Sequence, residues 1–213
     1  MPMSADEDEP PLEDAAEEPN AARDRVVMLA VGVEGGLVLL ALGLGWVFDK
    51  PALSRLEFDL AGVGWGIVAA LPMVAAFFLM HRWPIGPLAG LKKFSETVVR
   101  PMMRPLTKVD LLGISCLAGL GEEMLFRGLA QDLLGTQIPL VYAIAAAALM
   151  FGVVHAITPT YFVLASVAGA YLGWVYALTG DMATPIVAHA LYDFVALLVL
   201  VRGGSAVGTD EQG

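Results

Sequence analysis

The chain has 213 residues, of which 57% are hydrophobic and 16% are charged, and its formal net charge is -10. Soluble chains typically have about 45–50% apolar and about 25% charged residues, so the composition excludes an ordinary soluble domain and indicates a membrane protein. The length is sufficient for one helical bundle, and a single cysteine, Cys116, excludes an internal disulfide. No feature of the sequence indicates a nucleic-acid partner.

Much of the negative charge lies at the N-terminus, where residues 1–20 contain eight acidic residues. This stretch has no apolar period, and we predict a disordered acidic tail over residues 1–22. The charge before the first apolar run is acidic rather than basic, which is unlike a signal peptide. A second, short tail is expected over residues 203–213.

Six apolar runs lie between these tails, and most have about the 20 residues that a helix needs to cross a bilayer core about 30 Å thick. They cover residues 26–48, 61–80, 109–130, 138–156, 160–178 and 183–201. The runs are too long for the strands of a membrane barrel and lack their polar and apolar alternation. We therefore predict an all-α polytopic bundle of about six transmembrane helices, with an N-terminal part over 23–107 and a helical core over 108–202.

The loop between the second and third runs is basic. Its cationic residues are Arg82, Lys92, Lys93, Arg100, Arg104 and Lys108. The positive-inside rule places the 81–108 segment in the cytoplasm, and with six spans both termini are then cytoplasmic. We expect an integral protein of a bacterial or archaeal plasma membrane. Trp83, the prolines and the lysines of this segment indicate a short helix at the membrane interface.

The stretch AGLGEEMLFRGLAQ, residues 118–131, places three charged residues in the third run. Each would cost about 2.5–3.5 kcal/mol at the bilayer centre. Glu123 and Arg127 are four residues apart and share a helix face, so we predict an ion pair that offsets part of the cost. Glu122 points about a quarter-turn away and has no cation near it in sequence, which leaves it available for proton transfer. A helix end with solvated charges explains the isolated pattern equally well.

Two histidine motifs lie on later runs. Phe151 and His155 share a helix face in MFGVVHAITP, and His189 and Asp193 share one in PIVAHALYDF. A lone histidine in a membrane helix is most often an interhelical hydrogen bonder. Ionisable groups on three separate apolar helices must each face the bundle interior or a water-filled cavity. We therefore expect the three motifs to face one another.

The three motifs, in this order on consecutive membrane segments, resemble those of the CPBP family. That family includes the CAAX prenyl endopeptidases and the bacterial Abi proteins linked with bacteriocin self-immunity. The matching motifs are Glu122-Glu123-x-x-x-Arg127, Phe151-x-x-x-His155 and His189-x-x-x-Asp193. The resemblance covers residues 108 to 202. It implies an intramembrane endopeptidase that opens to the cytoplasmic side and takes a peptide or protein substrate, lipidated or not, from the bilayer.

Carried over by position, the resemblance gives each motif a role. Glu122 would be the general base and would work with His155 to deprotonate a water that attacks the scissile carbonyl. His189 and Asp193 would line the oxyanion site. The supporting residues would be Glu123, Arg127 and Phe151. No cofactor is implied by this set.

Asp193 raises a question of protonation. Family members have Asn or Asp at this position, and an ionised carboxylate cannot donate a hydrogen bond to an oxyanion. Either Asp193 is protonated, or it orients His189, which is then the only donor from this motif.

Two other interpretations remain open. Glu122, His155 and His189 could instead supply the ligands of a catalytic zinc site with one position left for water, although no HExxH is present. A non-catalytic immunity or scaffold protein would use the same polar groups as interhelical hydrogen bonders, each worth about 0.6 kcal/mol on average. The presence of every proton-handling residue together favours catalysis, and the resemblance favours the metal-free form.

Two features of the apolar runs predict how the helices pack. Gly32 and Gly36 stand four residues apart in the first run, as do Gly169 and Gly173 in the fifth, and such pairs let helix backbones approach closely. We expect both pairs to be packing faces within the bundle. Glu34 lies between the first two glycines, and it either pairs with a cluster residue such as Arg127 or lies near the cytoplasmic interface.

Overall fold

The structure, a computed structural model, describes residues 12–57 and 59–203, and these residues form helices and no strand. The helices are α1 (Leu12–Val47), α2 (Leu60–Arg82), α3 (Pro87–Phe94), α4 (Arg100–Met103), α5 (Lys108–Glu123), α6 (Asp132–Leu134), α7 (Leu140–Val154), α8 (Pro159–Thr179) and α9 (Ala183–Arg202). Two π-helical segments, Ser95–Val99 and Met124–Gln131, join α3 to α4 and α5 to α6. The predicted all-α bundle is confirmed.

Four helices of the described residues are long and apolar enough to cross a membrane: Asn20–Val47 of α1, and α2, α8 and α9. They coincide with four of the predicted spans. The predicted span 109–130 is helical but changes from α5 to a π-helical segment, and 138–156 contains the 15-residue α7. A helix of that length rises about 22 Å. The count of six spans stays a prediction.

Helix α1 begins at Leu12, inside the segment predicted to be a disordered tail. Residues 12–22 are therefore helical, because the alanines and glutamates of this stretch are strong helix formers. Residues 1–11 and 204–213, which belong to the two predicted tails, lie outside the described residues. The division of the chain at residue 107 stays a prediction.

The basic segment between α2 and α5 is helical, as predicted for the interfacial element. Helix α3 has Pro87 in its first turn, after Gly86 at a φ of 55°. Its location at a membrane interface stays a prediction.

The first turn of α5 anchors α1. The Thr107 side chain accepts a hydrogen bond from the Asp110 backbone N–H, and the Asp110 carboxylate accepts one from the Thr107 N–H, which forms a capping box. Both oxygens of Asp110 also accept hydrogen bonds from the Arg23 guanidinium of α1, each at 2.7 Å. One carboxylate thus starts α5 and fixes α1 beside it.

Small residues decide how closely the helices pack. A Cβ at Gly169 would lie 3.2 Å from the Cα of Ala148, and one at Gly173 would lie 2.5 Å from Gln131 Oε1, so the predicted packing face of α8 is confirmed. The predicted packing of Gly32 and Gly36 is wrong, because a Cβ at either would meet no atom of the described residues within 4 Å. Helix α1 instead packs on α5 through other positions.

The main apolar core lies where α2, α8 and α9 meet. Its buried residues are Ala69, Ala70, Met73, Leu172, Val175 and Ala188. A second cluster of Phe126, Phe151 and Ala165 lies beside the charged residues of α5 and the π-helical segment. Packing on these clusters sets the relative positions of α5, α7 and α9, which carry the three sequence motifs.

Candidate active site

The structure brings the three motifs together. Glu122 lies in the last turn of α5, His155 directly follows α7, and His189 lies in the second turn of α9. As expected, the ionisable groups of these separate helices face one another. The Nε2 atoms of His155 and His189 lie 3.6 and 3.9 Å from Glu122 Oε2.

Glu123 and Arg127 form the predicted ion pair in the interior of the bundle. Arg127 Nη1 donates to Glu123 Oε1 at 2.7 Å, and the side chains are 1% and 0% exposed. Arg127 Nη2 donates to the carbonyl oxygen of Gly169 in α8 at 2.8 Å, and the guanidinium carbon lies 4.9 Å from the centroid of the Phe151 ring. The pair therefore ties the π-helical segment to α7 and α8 as well as to α5.

His189 is oriented by the same glutamate. Its Nδ1 lies 2.8 Å from Glu123 Oε1, the oxygen that also accepts from Arg127. A carboxylate can only accept, so His189 Nδ1–H is the donor and Nε2 points to the other side of the ring. There Nε2 lies 3.5 Å from Asp193 Oδ2 and 3.9 Å from Glu122 Oε2.

His155 is oriented by the helix that it ends. Its Nδ1 lies 2.8 Å from the carbonyl oxygen of Phe151, which can only accept, so Nδ1 carries the proton. The imidazole stacks on the Phe151 ring with the centroids 4.4 Å apart. In the neutral ring Nε2 is then an acceptor, and it lies 3.6 Å from Glu122 Oε2.

Glu122 lies at the centre of this arrangement. It is buried, and its Oε2 has no hydrogen-bond partner among the described residues. The imidazole Nε2 atoms of His155 and His189 lie beyond hydrogen-bond distance of this oxygen, at 3.6 and 3.9 Å. A buried polar atom left unpaired is unfavourable, so the site has the polarity to hold a small hydrogen-bonding group such as water between the three side chains.

The zinc alternative can be tested on the same distances. Two ligands about 2.1 Å from a tetrahedral zinc are about 3.4 Å apart. Both Glu122–histidine distances are longer than this, at 3.6 and 3.9 Å. Within residues 12–57 and 59–203 no group of three or more His, Cys, Asp or Glu side chains is arranged to hold a metal ion. The metal-free mechanism and the zinc alternative both stay predictions.

Glu34 approaches the cluster from α1, although not in the way that the sequence suggested. Its backbone lies against Gly121, the neighbour of Glu122, and its Oε2 is a second buried carboxylate oxygen without a hydrogen-bond partner in the described part of the chain. Arg127 makes its hydrogen bonds to Glu123 and Gly169 instead. Of the two alternatives for Glu34, a pair with Arg127 is therefore absent from the described residues, and a location near the cytoplasmic interface stays a prediction.

Sequence reasoning missed Tyr161. Its ring meets the His155 ring edge-on, with centroids 5.9 Å apart and an interplanar angle of 80°. The one sequence feature that could have linked it to the site is its position six residues after His155, on the far side of the Thr-Pro-Thr turn that starts α8. No helical period connects the two residues, because the chain reverses between them.

One comparison with known proteins matches this region. The model of the family described as type II CAAX prenyl endopeptidase, Rce1-like, matches residues 104–195. All three motifs lie within that range. No curated protein and no solved structure matches the chain.

Proposed function

We propose that the protein is an intramembrane endopeptidase of the CAAX prenyl protease type, a proposal supported by the match of residues 104–195 to the Rce1-like family model. The observation that carries the mechanism is the buried, unpartnered Oε2 of Glu122, which faces the Nε2 atoms of His155 and His189. The proposed substrate is a peptide or protein, with chains lipidated near a C-terminal cysteine as the first class to test.

The proposed reaction begins with a water between Glu122 and His155. Glu122 takes a proton from this water as the water oxygen attacks the scissile carbonyl carbon, and His155 orients the water by accepting its second hydrogen at Nε2. The carbonyl oxygen becomes the oxyanion of a tetrahedral intermediate. The C–N bond then breaks, and Glu122 returns the proton to the leaving amine.

The remaining motif residues hold this geometry. His189 faces the oxyanion as an imidazolium that donates from Nε2, and Asp193 at 3.5 Å orients that ring. Glu123 and Arg127 fix His189 from the opposite side, since one Glu123 oxygen accepts from both. Phe151 supports His155 through its ring and its carbonyl oxygen.

The test compares purified wild type, Glu122→Gln and His155→Ala in lipid, with prenylated and unmodified reporter peptides. We expect Glu122→Gln to lower kcat by about 10²–10⁴-fold, because the general base is lost while the shape of the side chain is kept. Glu96→Gln is the matched control, since Glu96 is an exposed carboxylate whose one ion pair among the described residues is the 3.8 Å contact with Lys92.

Each assay is repeated with a strong chelator. Cleavage that is unaffected by the chelator supports the metal-free mechanism, whereas loss of cleavage that added zinc restores would replace it with the zinc alternative. Full activity of Glu122→Gln would reject the proposed mechanism. Failure of a well-folded wild type to cut any of the peptides would instead favour a non-catalytic immunity or scaffold role.

A further inference from the structure

The proposed oxyanion site is short of hydrogen-bond donors. Asp193 as a carboxylate only accepts, and the Nδ1–H of His189 is already donated to Glu123 at 2.8 Å. Nε2 of His189 donates only when the ring is an imidazolium. The three motifs therefore offer one donor to the carbonyl oxygen, and that donor depends on protonation.

Tyr161 lies beside this site in the first turn of α8. The Thr158 side chain caps the helix by accepting from the Tyr161 backbone N–H at 3.1 Å, and Pro159 occupies the first helical position. This cap fixes the Tyr161 backbone directly after the turn that carries His155. The edge-on contact with the His155 ring then fixes the direction of the phenol.

The Tyr161 ring lies beside the catalytic groups. It contacts the imidazole of His155, whose Nε2 lies 3.6 Å from Glu122 Oε2. In the described part of the chain the hydroxyl makes no hydrogen bond, and it is not sealed from solvent as the Oε2 of Glu122 is. An O–H group on a ring that contacts a catalytic side chain, and without a partner among the described residues, is free to donate to a bound substrate.

We propose that Tyr161 is a catalytic residue, whose phenolic O–H donates a hydrogen bond to the carbonyl oxygen of the scissile bond as that oxygen becomes an oxyanion. The inference rests on the proposed endopeptidase function. A phenol is a donor without needing an extra proton, so it supplies what Asp193 does not. Packing against His155 does not require the hydroxyl, because a phenylalanine ring would make the same edge-on contact.

The experiment is Tyr161→Phe, which keeps the ring and removes only the O–H. We expect kcat to fall by about 10²–10³-fold, the loss seen when one oxyanion donor is removed, with KM changed by less than threefold. The matched control is Tyr142→Phe, which removes the hydroxyl of a tyrosine that is 64% exposed in the first turn of α7. Thermal unfolding of all variants in the same detergent checks that each is folded.

A second measurement tests the same role through the binding of an inhibitor, which needs no turnover. A peptide phosphonamidate carries a tetrahedral, negatively charged centre at the scissile position, and its inhibition constant should weaken for Tyr161→Phe by about the same factor as kcat. Activity of Tyr161→Phe within threefold of wild type, or an unchanged inhibition constant, would overturn the role of Tyr161.

The two proposals fail in different ways. Glu122→Gln is assayed beside Tyr161→Phe with the same peptides. An inactive Glu122→Gln with a fully active Tyr161→Phe rejects only the inference on Tyr161. An active Glu122→Gln rejects the proposed mechanism itself, and with it the inference that rests on it.

Discussion

Arg127 shows, at the scale of single residues, what the sequence could and could not predict. Its pair with Glu123 follows from the four-residue spacing, since local helix geometry puts both on one face. The bond from Glu123 to His189 joins residues 66 positions apart, and the contact with the Gly169 carbonyl joins residues 42 apart. No local period encodes such contacts, so the roles of Glu123 in orienting His189 and of Arg127 in holding α8 emerge only from the fold.

Arg127→Met should destabilise the protein by about 3–5 kcal/mol, because it leaves the Glu123 carboxylate buried without its cation. The double variant Glu123→Gln/Arg127→Met should lose less than the sum of the two single losses, since it removes both charges of one pair. Equilibrium unfolding in mixed micelles measures all three. Arg25→Met is the control, because Arg25 is exposed and its side chain donates to the Ala21 carbonyl oxygen of its own helix. Strictly additive losses would contradict the coupling.

At the scale of helices, the positions of the helices along the chain could be predicted from the sequence more accurately than the contacts between them. The spacing of small residues indicates that a helix can approach another helix closely, but it does not identify which helix that is. Helix α1 meets α5 at Gly121, where a Cβ would lie 2.8 Å from the carbonyl oxygen of Glu34 and 3.3 Å from the Cβ of Leu37. The π-helical segment Met124–Gln131 was also unpredicted, because an apolar period read along the chain does not distinguish it from an α-helix.

Gly121→Ala should cost about 1–3 kcal/mol, because the new methyl group forces α1 away from α5. Gly113→Ala is the matched control on the same helix, since its Cβ would meet nothing within 4 Å. That control should be neutral or stabilise by up to about 1 kcal/mol through helix propensity. Thermal unfolding of both variants measures the difference, and equal melting temperatures would show that the α1–α5 contact is not tight at Gly121.

At the scale of the whole molecule, the predicted membrane orientation rests on the distribution of basic residues. Helix α2 separates the loop that contains Ser54 from the basic segment that contains Gly90. The positive-inside rule places the basic segment in the cytoplasm. The helices themselves carry no information on which end faces which compartment, so this part of the sequence-based prediction needs its own measurement.

Gly90→Cys and Ser54→Cys, each in a Cys116→Ala background, provide that measurement. A membrane-impermeant maleimide added to inside-out vesicles should modify Gly90→Cys and spare Ser54→Cys, and right-side-out vesicles should give the opposite pattern. Both positions suit labelling, because Ser54 is exposed and a Cβ at Gly90 meets nothing within 4 Å. The reverse pattern would invert the predicted topology.

The 15 residues of α7 have a consequence for the surrounding lipid. A rise of about 22 Å falls about 8 Å short of a hydrocarbon core about 30 Å thick. If α7 is one of the predicted spans, we expect the adjoining leaflet to thin toward the turn between α7 and α8, where His155 lies. We therefore predict that the aqueous boundary moves inward at this point, so that the thickness of the host membrane helps to determine how far water must travel to the proposed site.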